Sequence, residues 1–217
     1  MPRRREAGPG PTAVARLADD LRRQVLTGEL PAGHPLREEE LAAVTGASRH
    51  TVRAALARLA DERLLVAEPY RGVRVTTFAD ADVVALQQLR GALEGEAVRL
   101  LCEAYGTSWP AAVLAPARNA VAALAALPGD DWPAVAAAHA AVHSALVAAA
   151  ASPRIAEAYA RLHSEVLLLL VHVRPAYDVA LLAAEHLAHL DDVQRHGPVA
   201  VRAHLDRSTA LLLAARR

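Results

Sequence analysis

The sequence predicts a mainly α-helical protein in two parts: a small N-terminal unit of three helices and a β-hairpin, then a larger antiparallel bundle made only of helices. Three observations predict it. Hydrophobic residues make up 53 % of the 217 residues but aromatic residues only 3 %. The apolar content is therefore Ala, Leu and Val, and Ala and Leu are strong helix formers. Strand patterns are confined to Leu64-Leu65-Val66-Ala67 and Val73-Arg74-Val75-Thr76, joined by the turn sequence Glu68-Pro69-Tyr70-Arg71-Gly72. Charge divides nearby: residues 1–77 hold 13 Arg against 10 acids and residues 78–217 hold 11 Arg against 14 acids, so +3 and −3 in a chain of net charge zero. Such asymmetry suggests two jobs.

Taken in order, residues 1–11 are rich in Pro and Gly around an Arg triplet and read as a disordered basic arm. Thr12 caps a helix over 13–27, where Val14, Leu17, Leu21, Val25 and Leu26 recur at helical spacing. Gly28 ends it, and Pro31-Ala32-Gly33 is a turn. A second short helix runs from Leu36 to Val44, and Thr45-Gly46-Ala47 breaks it. Ser48 caps a third helix that continues to Leu59. Ala42, Gly46 and Val52 fit a helix-turn-helix: a small residue where helices approach, a Gly for the turn, a branched apolar anchor. With the hairpin, residues 12–77 form a winged helix-turn-helix. Residues 78–217 then show helical periodicity over 80–104, 110–126, 132–150, 153–173, 176–195 and 199–215, separated by Pro/Gly turns.

Composition excludes several chemistries. All 24 basic residues are Arg, so there is no lysine for a Schiff base or a Walker-type phosphate loop. The single Cys102 excludes an internal disulfide framework and multi-cysteine zinc sites, and fits a reducing, cytoplasmic location. The basic start Pro2-Arg3-Arg4-Arg5 is followed by no apolar segment, so no signal peptide is expected. The apolar run Val166-Leu167-Leu168-Leu169-Leu170-Val171 is short of a membrane span. No membrane partner is expected.

The run from Leu30-Pro31-Ala32-Gly33 through Glu40-Leu41-Ala42, Ser48-Arg49-His50-Thr51-Val52-Arg53-Ala54-Ala55-Leu56 and Arg71-Gly72-Val73-Arg74-Val75 resembles the GntR family of bacterial transcription regulators. The resemblance implies that the third helix enters the major groove of DNA and the wing tip meets the neighbouring minor groove. It assigns DNA contact to Ser48, Arg49, His50, Thr51 and Arg53 on that helix, and to Arg71 and Gly72 at the wing. Arg49 and Arg53 are four apart and share a face. Two positions depart from the family: Arg63 stands where Gly is common, and Glu39 stands where some relatives place a DNA-contacting Arg.

The second part, through Leu89-Arg90-Gly91-Ala92-Leu93-Glu94, His139-Ala140-Ala141-Val142-His143, Glu185-His186-Leu187 and Ala203-His204-Leu205, resembles the FCD ligand-sensing domain of FadR-type GntR regulators. The resemblance implies a divalent metal held by an Asp and three His. The Asp position is His139 here, and the His positions are His143, His186 and His204, with His189 as a spare. A set of imidazoles favours a transition metal, Zn or Ni, over Mg or Ca. It further implies a small organic-acid effector, a homodimer and a pseudo-palindromic DNA operator. Arg90 is the expected carboxylate clamp, against a plain salt bridge to Glu94 at i,i+4, with Arg161 and Arg174 as weaker candidates. A metal-responsive regulator is the alternative. A metal-dependent enzyme is disfavoured because no HExxH or GxSxG occurs.

Overall fold

A computed structural model describes residues 12–68, 72–173 and 178–216. The basic arm over 1–11, Arg71 with its neighbours Pro69 and Tyr70, and Arg174 lie outside the described residues. The chain divides into two compact units between Thr76 and Thr77.

In the first unit, α1 (Ala13–Thr27), β1 (Pro35–Leu36), α2 (Glu38–Thr45), α3 (Arg49–Asp61), β2 (Leu65–Glu68) and β3 (Gly72–Val75) follow in order. The caps are those the residue types dictate. Thr12 Oγ1 accepts from the Ala15 N–H and Ser48 Oγ from the Thr51 N–H, each at 3.1 Å. Gly28 and Gly46 end α1 and α2 with φ of +81° and +68°, the left-handed region that costs Gly nothing. Leu17, Leu21 and Val25 of α1 are buried with Val52, Leu56 and Leu59 of α3. The sheet order is β1-β3-β2, all antiparallel. Leu36, expected to open the second helix, sits instead in β1 opposite Val73. A two-residue strand has no alternation to read. Arg63, where the family resemblance led to an expectation of Gly, takes φ +58°. The turn geometry is thus kept by an L residue that strains to adopt it.

The second unit is all helical among its described residues: α4 (Asp80–Tyr105), α5 (Ala111–Ala125), α6 (Trp132–Ala149), α7 (Pro153–Ala160), α8 (His163–Val173), α9 (Val179–His196) and α10 (Pro198–Ala214). The segment 153–173, expected as one helix, is two, broken at Arg161-Leu162 where no Pro or Gly signals it. The turn lets Tyr159 and Leu162 both be buried. Central α6 packs against α4, α5, α7 and α8, while α9 packs on α5 and α10, and α10 on α4. By length and composition α6 is apolar enough to cross a membrane, which the run Val166–Val171 alone does not reveal. Here it is the core helix, with half of that span buried. A single residue, Gly197, joins α9 to α10 at φ +63°. A Cβ there would lie 3.3 Å from Cys102 Sγ, a tight contact, and the backbone conformation itself favours glycine. This tight joint accommodates the short spacing between His186 and His204.

Candidate functional site

Two sets of candidate side chains are positioned, one in each unit. In the first, Ser48, Arg49, His50 and Arg53 lie exposed along the N-terminal half of α3, with Thr51 half-buried. Gly72 is exposed at the start of β3 with φ +81°. Val52, on the opposite face, is fully buried and fixes α3 to the unit. The arginines are not idle. Arg53 donates to both carboxylate oxygens of Glu38 at 2.8 and 3.0 Å, and Arg49 pairs with Glu39 at 3.0 Å. The hydrogen bond from Arg53 holds the Glu38 carboxyl below its usual range. Glu39, given no DNA contact from the sequence, is therefore the partner of an arginine that the family resemblance assigns to DNA. All these side chains except Glu38 are two-thirds exposed or more, so the pairs are open to exchange with other anions.

In the second unit, His139 and His143 on α6, His186 and His189 on α9 and His204 on α10 converge in the bundle interior, none more than 7 % exposed. The four residues carried over from the family are thus brought together, and His189 joins them. His143 Nε2 lies 3.3 Å from His139 Nε2 and 3.2 Å from His186 Nε2. The outer nitrogens are committed elsewhere. His143 Nδ1 donates to Glu94 Oε2 at 3.0 Å, and His186 Nδ1 donates to the Leu182 carbonyl at 2.7 Å. Their Nε2 atoms therefore carry lone pairs and face each other. Burial holds all five imidazoles neutral: His139 and His143 far below the ordinary value, His186 and His204 lowered too, and His189 at about 4.

Glu94 is the residue that sequence reading underused. It is fully buried and accepts from Tyr159 Oη at 2.6 Å, from Arg90 at 3.1 Å and from His143. Arg90, the expected clamp, has every guanidinium nitrogen engaged: with Glu94, with Gln87 Oε1 at 2.8 Å and with Tyr159 Oη at 3.4 Å. Burial opposes its charge, and Tyr159 with Glu94 outweighs that, raising its pKa. The i,i+4 pair weighed against the clamp role is present. Arg161 pairs with Glu157 on the surface. A small cavity of about 170 Å³ opens onto the histidines, lined also by Arg207, Ser208, Glu185 and Asp192. Arg207 follows His204 by one turn, and that spacing was the available signal.

The family of bacterial regulatory proteins described as gntR matches residues 13–75, and the FCD domain matches residues 85–210. The chain belongs to the GntR family and carries an FCD domain. A relative from Paenarthrobacter nicotinovorans, named as a D-xylose utilization operon transcriptional repressor, is 38 % identical over 94 residues, which is 43 % of this chain and 42 % of that protein. The match thus spans less than half of that relative. A protein of Agrobacterium vitis, named as an HTH-type transcriptional regulator in the TAR-I ttuE-ttuC' intergenic region, is 35 % identical over 132 residues, 60 % of this chain and 77 % of that one. A GntR transcriptional regulator from Rhodococcus sp. RHA1 superposes with a TM-score of 0.74 at 24 % identity, over 94 % of this chain and 99 % of that one. E. coli McbR/YncC gives 0.69 at 21 %, over 95 % and 100 %. These two share the fold. The GntR family and the matched curated relatives are transcription regulators, not enzymes.

Proposed function

We propose that this GntR regulator binds duplex operator DNA through α3 and answers to a small carboxylate at a metal site in its FCD domain. Two copies would read the half-sites of a pseudo-palindromic operator, one winged helix each. His139, His143, His186 and His204 would hold a divalent transition metal, Zn or Ni. The observation that carries this is the pair of lone-pair-bearing Nε2 atoms, His143 and His186, held 3.2 Å apart in the buried interior. Two lone pairs at that distance repel unless a cation lies between them. The separations also fit: with Zn–N near 2.0–2.1 Å, ligand nitrogens at tetrahedral corners lie roughly 3.3 Å apart. When bound, the metal supplies a Lewis-acid position for a carboxylate.

The chain's own side chains set the ligand class. About 170 Å³ is below the roughly 300–1,000 Å³ of drug-sized pockets, which favours a small acid. Arg207 is the better clamp. It lines the cavity and forms no ion pair among the described residues, whereas Arg90 is fully engaged. Glu185 and Asp192 against Arg207 leave the lining at −1. A divalent ion on the imidazoles brings it to +1, so anion binding should require the metal.

The test is elemental mass spectrometry of the purified chain beside the double variant His143→Ala, His186→Ala. About one transition metal per chain, lost in the variant, supports the site. No metal after incubation with Zn or Ni overturns it. Calorimetry with a panel of small carboxylates then reads the clamp, with binding expected to vanish on chelation and to weaken in Arg207→Ala. Operator affinity that responds to metal alone would make the ion itself the effector.

A further inference from the structure

The hydrogen bonds that leave Arg90 toward α10 can run in only one direction. Arg90 is buried, and a guanidinium donates and never accepts. Its Nη1 lies 2.8 Å from the Gln87 side chain, so the Gln87 atom facing it is the amide oxygen. The amide nitrogen of Gln87 is then the atom 3.1 Å from Ser208 Oγ. That nitrogen also only donates, so Ser208 Oγ accepts. The Ser208 hydroxyl hydrogen remains to be given elsewhere, and no acceptor for it is found among the described residues. The adjacent Thr209 differs: its hydroxyl donates to the Leu205 carbonyl at 2.7 Å.

Ser208 stands where that hydrogen has a use. It follows His204 by four residues on α10, so the two share a helix face. Both line the cavity beside the histidines, together with Arg207. On the other side of Arg90, Glu94 accepts from the guanidinium and from His143 Nδ1, which leaves the lone pair of His143 Nε2 turned to His186. One buried arginine therefore fixes the sign of two atoms. His143 offers a lone pair to a cation, and Ser208 offers a proton to an anion.

We propose that Ser208 is an effector-binding residue, whose hydroxyl donates to a carboxylate oxygen of the ligand while Gln87 holds its oxygen from behind. This rests on the reading of the cavity as a carboxylate site on a metal. Arg207 supplies charge to the ligand and Ser208 supplies a directed hydrogen. A carboxylate oxygen, with lone pairs only, takes that hydrogen; an ammonium group has no lone pair with which to take it.

The experiment uses the full chain loaded with Co(II) and titrated in a calorimeter with acetate, lactate, malate and citrate. Ser208→Ala, Gln87→Glu and the double variant are compared with the unsubstituted chain. In Ser208→Ala the tightest of these probes should bind roughly 10-fold more weakly, with Co(II) affinity as in the parent. Gln87→Glu keeps Ser208 but sets a carboxylate oxygen against it, which accepts the hydroxyl hydrogen and withdraws it from the cavity. Probe binding should weaken there too, and the two losses should not add in the double variant. Parent-like probe binding in either single variant, additive losses, or a loss of Co(II) affinity in Ser208→Ala overturns the assignment of Ser208 and leaves the carboxylate site standing. An unsubstituted chain that takes up no Co(II), or that binds none of the four acids once loaded, overturns the site and Ser208 with it.

Discussion

The same ion pair, arginine with glutamate, is used in both units to opposite ends. Arg53 and Glu38 meet at 2.8 Å with side chains 71 % and 33 % exposed. Arg90 and Glu94 meet at 3.1 Å with side chains 3 % and 0 % exposed. Water screens the first pair, so holding it together contributes little and another anion can take the place of Glu38. The second pair is sealed, and each member is costly without the other. Glu94 also orients the His143 ring through Nδ1. An exposed pair keeps an arginine ready for another anion, while a buried one fixes the geometry of the site beside it.

Each arm of that comparison can be broken. The largest effect should follow Glu94→Leu, which strands Arg90 and the Tyr159 hydroxyl in the bundle. Chemical denaturation should show about 3–5 kcal/mol less stability, and metal affinity should fall roughly 10- to 100-fold as His143 loses its anchor. Metal affinity equal to the parent's would disconnect Glu94 from the site. Next is Arg53→Ala, expected to weaken operator binding roughly 10- to 100-fold in fluorescence anisotropy while metal content stays constant. A loss of metal there would contradict the separation of roles. Arg63→Gly should then raise the stability of the first unit by up to about 1 kcal/mol, since glycine takes φ +58° without strain. An unchanged melting curve would mean the Arg63 side chain compensates. The smallest effect belongs to Glu38→Gln, which frees Arg53. DNA affinity should rise a few-fold and its salt dependence steepen, with little change in stability. Weaker binding would show that Glu38 positions Arg53 for its target.

The sequence was most legible where one residue type does one local job. Thr12 and Ser48 cap, Gly28 and Gly46 turn, and Val52 anchors; each needs only its own neighbours. The four histidines were legible through family spacing, which encodes contacts between distant helices. What could not be read has no local signature. The break at Arg161-Leu162 exists because Tyr159 must reach Glu94, 65 residues earlier in the chain. For Arg90 the sequence leaves a carboxylate clamp and a salt bridge to Glu94 both open, because Gln87 and Glu94 are ordinary polar residues on the same helix and only burial turns them into a closed network. Arg207 was passed over because an exposed arginine on a final helix is unremarkable until the cavity beside it is seen.

Cys102 is the single thiol of the chain, and it sits beneath the one-residue joint at Gly197. Burial raises its pKa, and the thiolate is the reactive form. Alkylating reagents should therefore attack it slowly while the α9–α10 corner is closed and faster when the corner loosens. Because α9 and α10 carry three of the five clustered histidines, the alkylation rate of this thiol would report any movement of that corner. It needs no engineered label, and it leaves every histidine and arginine of the two sites untouched.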